Sequence, residues 1–160
     1  MTLATEAELV QNAALGAVVL SAFTVEFYDQ RRRQAGPPLP YLLPVLPMVM
    51  HEETVTSIYR RHFDGGLLLA IAEDRTLTLE LQERMETMMP QTMQALNVAF
   101  SSKLLTYRGD TGQVWAESRH LPNLPRGEES KPLIAAATRL GYWFSTISID
   151  QLCAYLRIRF

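Results

Sequence analysis

Pro90-Gln-Thr-Met-Gln-Ala-Leu-Asn-Val-Ala-Phe-Ser-Ser-Lys-Leu-Leu-Thr-Tyr-Arg-Gly-Asp-Thr-Gly-Gln-Val-Trp-Ala-Glu-Ser118 changes its period halfway along, and that change decides the fold. Met93, Leu96, Val98 and Phe100 carry a helical stripe over 90–102, with Pro90 suited to a first turn. Residues 104–108 and 113–118 then flank Gly109-Asp-Thr-Gly112, two short runs around a glycine-bounded loop, which predicts a hairpin. A helix leading straight into a hairpin has the outline of a winged helix, where the last helix of a trihelical core precedes a β wing. The expected fold class is mainly α with a small β-hairpin (α+β), with a winged-helix-like core.

Upstream, Thr5-Glu6-Ala7-Glu8 is a capping-box pattern, and Leu9, Ala13, Ala17, Leu20, Phe23 and Phe27 follow at helical spacing. Val10, Val18, Val25 and Tyr28 widen that stripe beyond one face, so this helix is buried in a core or against another chain. Arg31, Arg32 and Arg33 fall in its expected last turn, and Gly36-Pro37-Pro38 ends it. Leu39-Pro-Tyr-Leu-Leu-Pro-Val-Leu-Pro-Met-Val-Met50 has prolines too close for a regular helix before Pro47, so an extended start and a helix from Pro44 or Pro47 are expected. A second short helix capped at Thr54 runs to about His62. Asp64-Gly65-Gly66 reads as a turn, and 67–73 as a short buried helix. The stretch 76–102 reads as helical but split at Pro90, with Leu77, Leu81, Met85 and Met88 marking its first half. A polar loop over 122–130 leads to helices over about 131–144 and 149–156. The expected organisation is one domain, 1–160, with a long N-terminal helix (about 5–33), a helical core with hairpin (about 44–118) and C-terminal helices (about 131–157).

Composition narrows the function. The 160 residues hold 15 Lys+Arg against 17 Asp+Glu, a balance that argues against a nucleic-acid binder driven by a basic excess. At 48% hydrophobic and 20% charged residues the chain is not intrinsically disordered. A lone cysteine, Cys153, rules out an internal disulfide, and no Asn-x-Ser/Thr acceptor occurs. The start is acidic, unlike a secretory signal, and neither apolar run is long enough to span a bilayer. A cytoplasmic location is expected.

The chemistry-bearing residues are sparse. His51-Glu52-Glu53 lacks the second histidine of a zinc-protease helix, because position 55 is Val. His62 and His120 stand alone, Cys153 sits among apolar residues, and no glycine-rich loop is followed by Lys-Ser/Thr. Gly-x-Ser-x-Gly is absent, and Arg108-Gly109-Asp110 is a chance tripeptide on a hairpin tip. No enzyme, no metal and no cofactor is expected. Gln91, Gln94 and Asn97 could touch base edges, but their helix carries no Arg or Lys to neutralise phosphate. Arg31, Arg32, Arg33, Arg60 and Arg61 are the candidate phosphate contacts; the alternative for them is a helix-end cluster and a solvated face. Apolar residues exceed what a core of this size needs. Leu42, Leu43, Leu46, Met48, Met50, Trp143, Phe144 and Phe160 are the candidate partner-binding residues, and Met85, Met88, Met89 and Met93 form a second methionine-rich stretch.

The chain resembles the middle component of bacterial three-component ABC systems, a group that includes relatives of the Lamassu antiphage operons. The resemblance rests on Asn12-Ala-Ala-Leu15 leading to Phe23 and Phe27-Tyr28, and on Leu39–Pro47 ending at His51. It continues through Arg84, Thr92, Ala95-Leu96 and Ala99 to Arg139-Leu140-Gly141-Tyr142-Trp143-Phe144 and Leu156-Arg-Ile-Arg159. It implies a non-catalytic adaptor between an SMC/Rad50-like ABC ATPase and an effector, often a nuclease, that meets DNA only through the complex and no membrane. The readings to set beside it are a winged-helix DNA-binding regulator and a small enzyme with an unmarked site.

Overall fold

The computed structural model describes residues 3–123 and 127–160, and the side chains of 12–123 and 129–160. Its helices are α1 (Leu3–Gln30), α2 (Val45–Val49), α3 (Glu52–Tyr59), α4 (Gly66–Glu73), α5 (Leu81–Thr87), α6 (Met89–Ser101), α7 (Gly127–Phe144) and α8 (Ile149–Leu156). A hairpin of β1 (Leu105–Arg108) and β2 (Gln113–Ala116) follows α6, and 3-10 turns occupy Leu39–Leu42, Phe63–Gly65 and Arg75–Leu77. The mainly α fold with one small hairpin is the expected class.

The wide apolar stripe of α1 has a simple outcome. Every residue from Gly16 to Thr24 is buried, because α6 and α7 both pack along α1 and α2 and β2 close further sides. The two polar side chains in that run satisfy themselves within the helix. Ser21 Oγ donates to the Ala17 carbonyl at 2.7 Å, and Thr24 Oγ1 to that of Leu20 at 2.8 Å. Small residues set the crossings. A Cβ on Gly16 would come 2.8 Å from Ala95 Cβ on α6, and one on Gly141 would come 2.4 Å from the Phe23 carbonyl oxygen. The core centres on Phe23, Phe27, Tyr41 and Phe144, whose rings meet edge to face or tilted at 5.5–6.5 Å.

The helix α1 stops at Gln30, so Arg31, Arg32 and Arg33 lie in the turn beyond it rather than in its last turn. Arg32 and Arg33 take φ of 53° and 59°, and Arg33 N–H donates to the Tyr28 carbonyl at 2.8 Å, closing the helix end. Gly36 serves a close approach instead of that turn: a Cβ there would lie 2.0 Å from the Val114 carbonyl oxygen. Residues 36–39 run beside β2. Val114 N–H donates to the Pro37 carbonyl at 2.8 Å, and Leu39 N–H to that of Gly112 at 3.0 Å. The expected capping box at Thr5 and Glu8 falls among side chains outside the described residues.

Elsewhere local chemistry moves the boundaries. His51, not Thr54, stands at the N-cap of α3; Thr54 is buried one turn in, its hydroxyl 3.0 Å from His51 Nδ1. Helix does not begin at Thr76, because Asp74 accepts from Thr76 N–H at 3.0 Å and caps a 3-10 turn instead. The left-handed Glu80 (φ 56°) then delays the helix to Leu81. The split near Pro90 falls at Met88. The short buried helix expected over 67–73 forms as α4 and buries one side, through Leu67 and Ala70.

Candidate partner-binding surface

The eight apolar candidates divide into two groups. Leu42, Leu46, Met48, Trp143 and Phe144 are all buried to 2% exposure or less. Leu46 and Met48 lie on α2, which packs against α1, α3, α5 and α7; Leu42 precedes it in the 3-10 turn; and Trp143 and Phe144 end α7, which packs against α1, α2, α3 and α4. Trp143 is fixed further by its indole N–H, which donates to the Phe63 carbonyl at 3.0 Å. Leu43 is half-buried, while Met50 and Phe160 are 36% and 54% exposed.

Leu43 and Phe160 come together. With Met85 and Met89 they line a groove of about 340 Å³ whose remaining walls are Gln82, Glu86 and Arg159. The tail beyond α8 is held there by Arg159 N–H, which donates to Gln82 Oε1 at 2.9 Å. Two methionines beside a leucine and an exposed phenylalanine make an apolar, adaptable lining of the sort that seats partner side chains. The sequence signal was the methionine-rich run 85–93; the partner element, Phe160, is placed there only by the fold.

Nearby, Arg84 ties α5 to α2. Its Nε donates to the Pro47 carbonyl at 3.3 Å and a terminal nitrogen to that of Leu79 at 2.6 Å, leaving the other terminal nitrogen buried and unpartnered. Burial holds the guanidinium below its ordinary pKa, with Glu80 opposing the shift.

A second, larger cleft of about 1180 Å³ opens between α3 and α4. Arg60 and Arg61 line it, together with Glu52, Glu53, Glu73 and Asp74. Arg61 is paired with Glu73, and its carbonyl accepts from Arg139 Nε at 2.6 Å, which fixes the end of α3 against α7. Hydrogen bonds from Ser57, then Thr76, hold the Asp74 carboxyl below the usual carboxylate range. This cleft escaped sequence reading because its walls come from 52–76 and its floor from Trp143.

The other candidate phosphate contacts, Arg31, Arg32 and Arg33, do not line that cleft. Arg31 lies over the Phe27 ring at 5.7 Å, and Arg33 over Tyr28 at 5.5 Å with Asp29 4.0 Å away. Tyr28 in turn stacks on Trp115 of β2 at 5.4 Å, Arg108 covers that indole at 4.5 Å, and Arg119 pairs with Asp29 at 2.7 Å. These contacts rivet the hairpin to the end of α1. Gln91, Gln94 and Asn97 are exposed on α6, and His62 and His120 are exposed as well.

Burial, then Asp150, raises the Cys153 thiol above its ordinary pKa, which disfavours the thiolate. Among the described residues no group of three or more His, Cys, Asp or Glu is placed to hold a metal ion, and no helix is long and apolar enough to cross a membrane.

No curated protein and no solved structure matches the chain. One family does, over residues 2–160, which takes in the Leu-Pro-rich segment under α1 and the Leu140–Phe144 box against it. The chain belongs to that family, the ABC-three component (ABC-3C) system Middle Component 3.

Proposed function

We propose that this chain is a non-catalytic adaptor that bridges an SMC/Rad50-like ABC ATPase and an effector, a nuclease, in a cytoplasmic bacterial defence complex. The match of residues 2–160 to a middle-component family carries the reading, since such a component acts by contact with the other members of its system. The groove at Leu43 and Phe160 supports it physically: it is mostly apolar, it reaches solvent, and it lies between α5 and the C-terminal tail. Leu43, Met50 and Phe160 are the contact residues in this reading. Leu42, Leu46, Met48, Trp143 and Phe144 hold the shape beneath them. Arg31, Arg32 and Arg33 would meet phosphate only within the assembled complex, while Arg60 and Arg61 sit among the carboxylates of the α3–α4 cleft and are not phosphate contacts in this reading.

The experiment is co-expression of the tagged chain with its genomic neighbours and identification of what stays bound in high salt. Recovery of a coiled-coil ATPase with an effector is the expected result. Leu43→Glu with Phe160→Glu should release one of them while the chain stays folded. A stable chain that retains neither neighbour refutes the adaptor reading.

A further inference from the structure

The α4 helix is Gly-Leu-Leu-Leu-Ala-Ile-Ala-Glu, and a helix so apolar is normally covered on every side. Here one side is bare. Leu68 and Leu69 are 56% and 49% exposed, and Ala72 one turn on is exposed too. Leu69 also forms the lip of the α3–α4 cleft, over a floor of buried Ala70 and Trp143. Patch and cleft are therefore one continuous surface. At about 1180 Å³ the cleft is larger than the roughly 300–1,000 Å³ of small-molecule sites and suits a polypeptide segment.

Charge narrows the occupant. Arg61 is paired with Glu73, so the charged or titratable side chains left at the opening are Glu52, Glu53 and Asp74, whose hydrogen bonds from Thr76 leave its carboxylate charge in place, against Arg60 and the exposed His62. That residual negative rim repels nucleic-acid phosphate. It also disfavours a second copy of this chain, which would bring the same rim with it.

We infer that the α4 face and its cleft dock an amphipathic helix of another component, with apolar anchors over Leu68 and Leu69 and Lys or Arg beside Glu52 and Glu53. The inference rests on the adaptor reading and supplies what a bridge requires: a surface that shares no residue with the Leu43–Phe160 groove. Apolar anchors in a groove give the affinity, and charges at its rim set partner choice and association rate.

The test uses the three co-expressed components, with the wild-type chain as reference. Leu68→Lys with Leu69→Lys should weaken retention of one component at least about tenfold, as loss of a central anchor does. It should leave the component released by Leu43→Glu with Phe160→Glu still bound. Glu52→Lys with Glu53→Lys should slow association with the component that Leu68→Lys/Leu69→Lys releases and flatten its salt dependence. Leu68→Met with Leu69→Met should retain binding. If the wild-type chain retains neither component, the adaptor reading falls and this inference with it. If wild type and Leu68→Lys/Leu69→Lys retain both equally, the cleft inference alone falls. Release of the same component by both double variants, or a concentration-dependent self-association abolished by Leu68→Lys/Leu69→Lys, also overturns it.

Discussion

Replacing Gly141 by alanine adds one methyl group where α7 crosses α1. Alanine is the better helix former, and intrinsic propensity alone favours the change by about 1 kcal/mol. Packing opposes it. The new Cβ would lie 2.4 Å from the Phe23 carbonyl oxygen, 1.0 Å inside the 3.4 Å edge of ordinary contact, with Glu26 Cβ at 3.1 Å and Phe27 N at 3.2 Å. The closest atom belongs to the backbone of a buried helix, so no side-chain rotation relieves it and the helices must separate. Overpacking of this kind costs about 1–3 kcal/mol, and the backbone clash places Gly141→Ala in the upper part of that range. The net expectation is a loss of about 1–2 kcal/mol. In urea denaturation at 25 °C the midpoint should fall by about 0.5–1 M with an unchanged slope. Gly109→Ala is the control, because nothing lies within 4 Å of a Cβ there, and it should be neutral or slightly stabilising. A midpoint for Gly141→Ala equal to or above wild type would refute the claim that this glycine exists for helix contact.

Trp143→Ala should cost about 3–5 kcal/mol by opening the core and orphaning the Phe63 carbonyl, read as a loss of soluble chain or a large fall in melting temperature. Asp74, whose carboxyl is held below its unfolded pKa by Ser57 and Thr76, contributes stability that is present above the ordinary carboxylate range. That contribution is lost as pH falls through the depressed value. Asp74→Asn should therefore flatten the acid limb of the stability profile and leave its slope above neutrality unchanged; an altered alkaline limb with an intact acid limb contradicts the assignment. Cys153, with its thiol pushed up by burial, should react with a thiol-directed alkylator at pH 7 more slowly than free cysteine, and Cys153→Ser should leave co-purification unaffected. An exposed-thiol rate would show that the packing of α8 against the core leaves the thiol open.

The parts of this fold that could be read in the sequence are those set by local rules. The glycine-bounded loop at 109–112 sets the turn and register of the hairpin, and Pro90 permits a helix only from its first turn. The parts that could not are set by neighbours distant in the chain. Leu67, Leu68 and Leu69 look alike, yet only Leu67 is buried, because the described elements pack against one side of α4 alone. Leu42, Leu46 and Met48 invite a partner by their proline-broken setting, but α2 is ringed by helices from both ends of the sequence. Arg31 to Arg33 suit a helix end by charge, while the turn that closes α1 depends on two left-handed residues that no apolar periodicity signals. The Leu43–Phe160 groove joins positions more than a hundred residues apart, and the α3–α4 cleft borrows its floor from α7.

The strap of residues 36–39 along β2 bears on how the sheet ends. A lone two-stranded ribbon is marginal in water and offers open edges on which other chains can add strands. Here β2 is already occupied on its outer side by Pro37 and Leu39, with Pro38 bridged to Gln113. Pro37 and Pro38 carry no N–H, so the strap cannot donate a ladder of its own and strand addition stops there. The same two residues that end the run after α1 thus act as a terminator for strand addition at the β2 edge of the sheet.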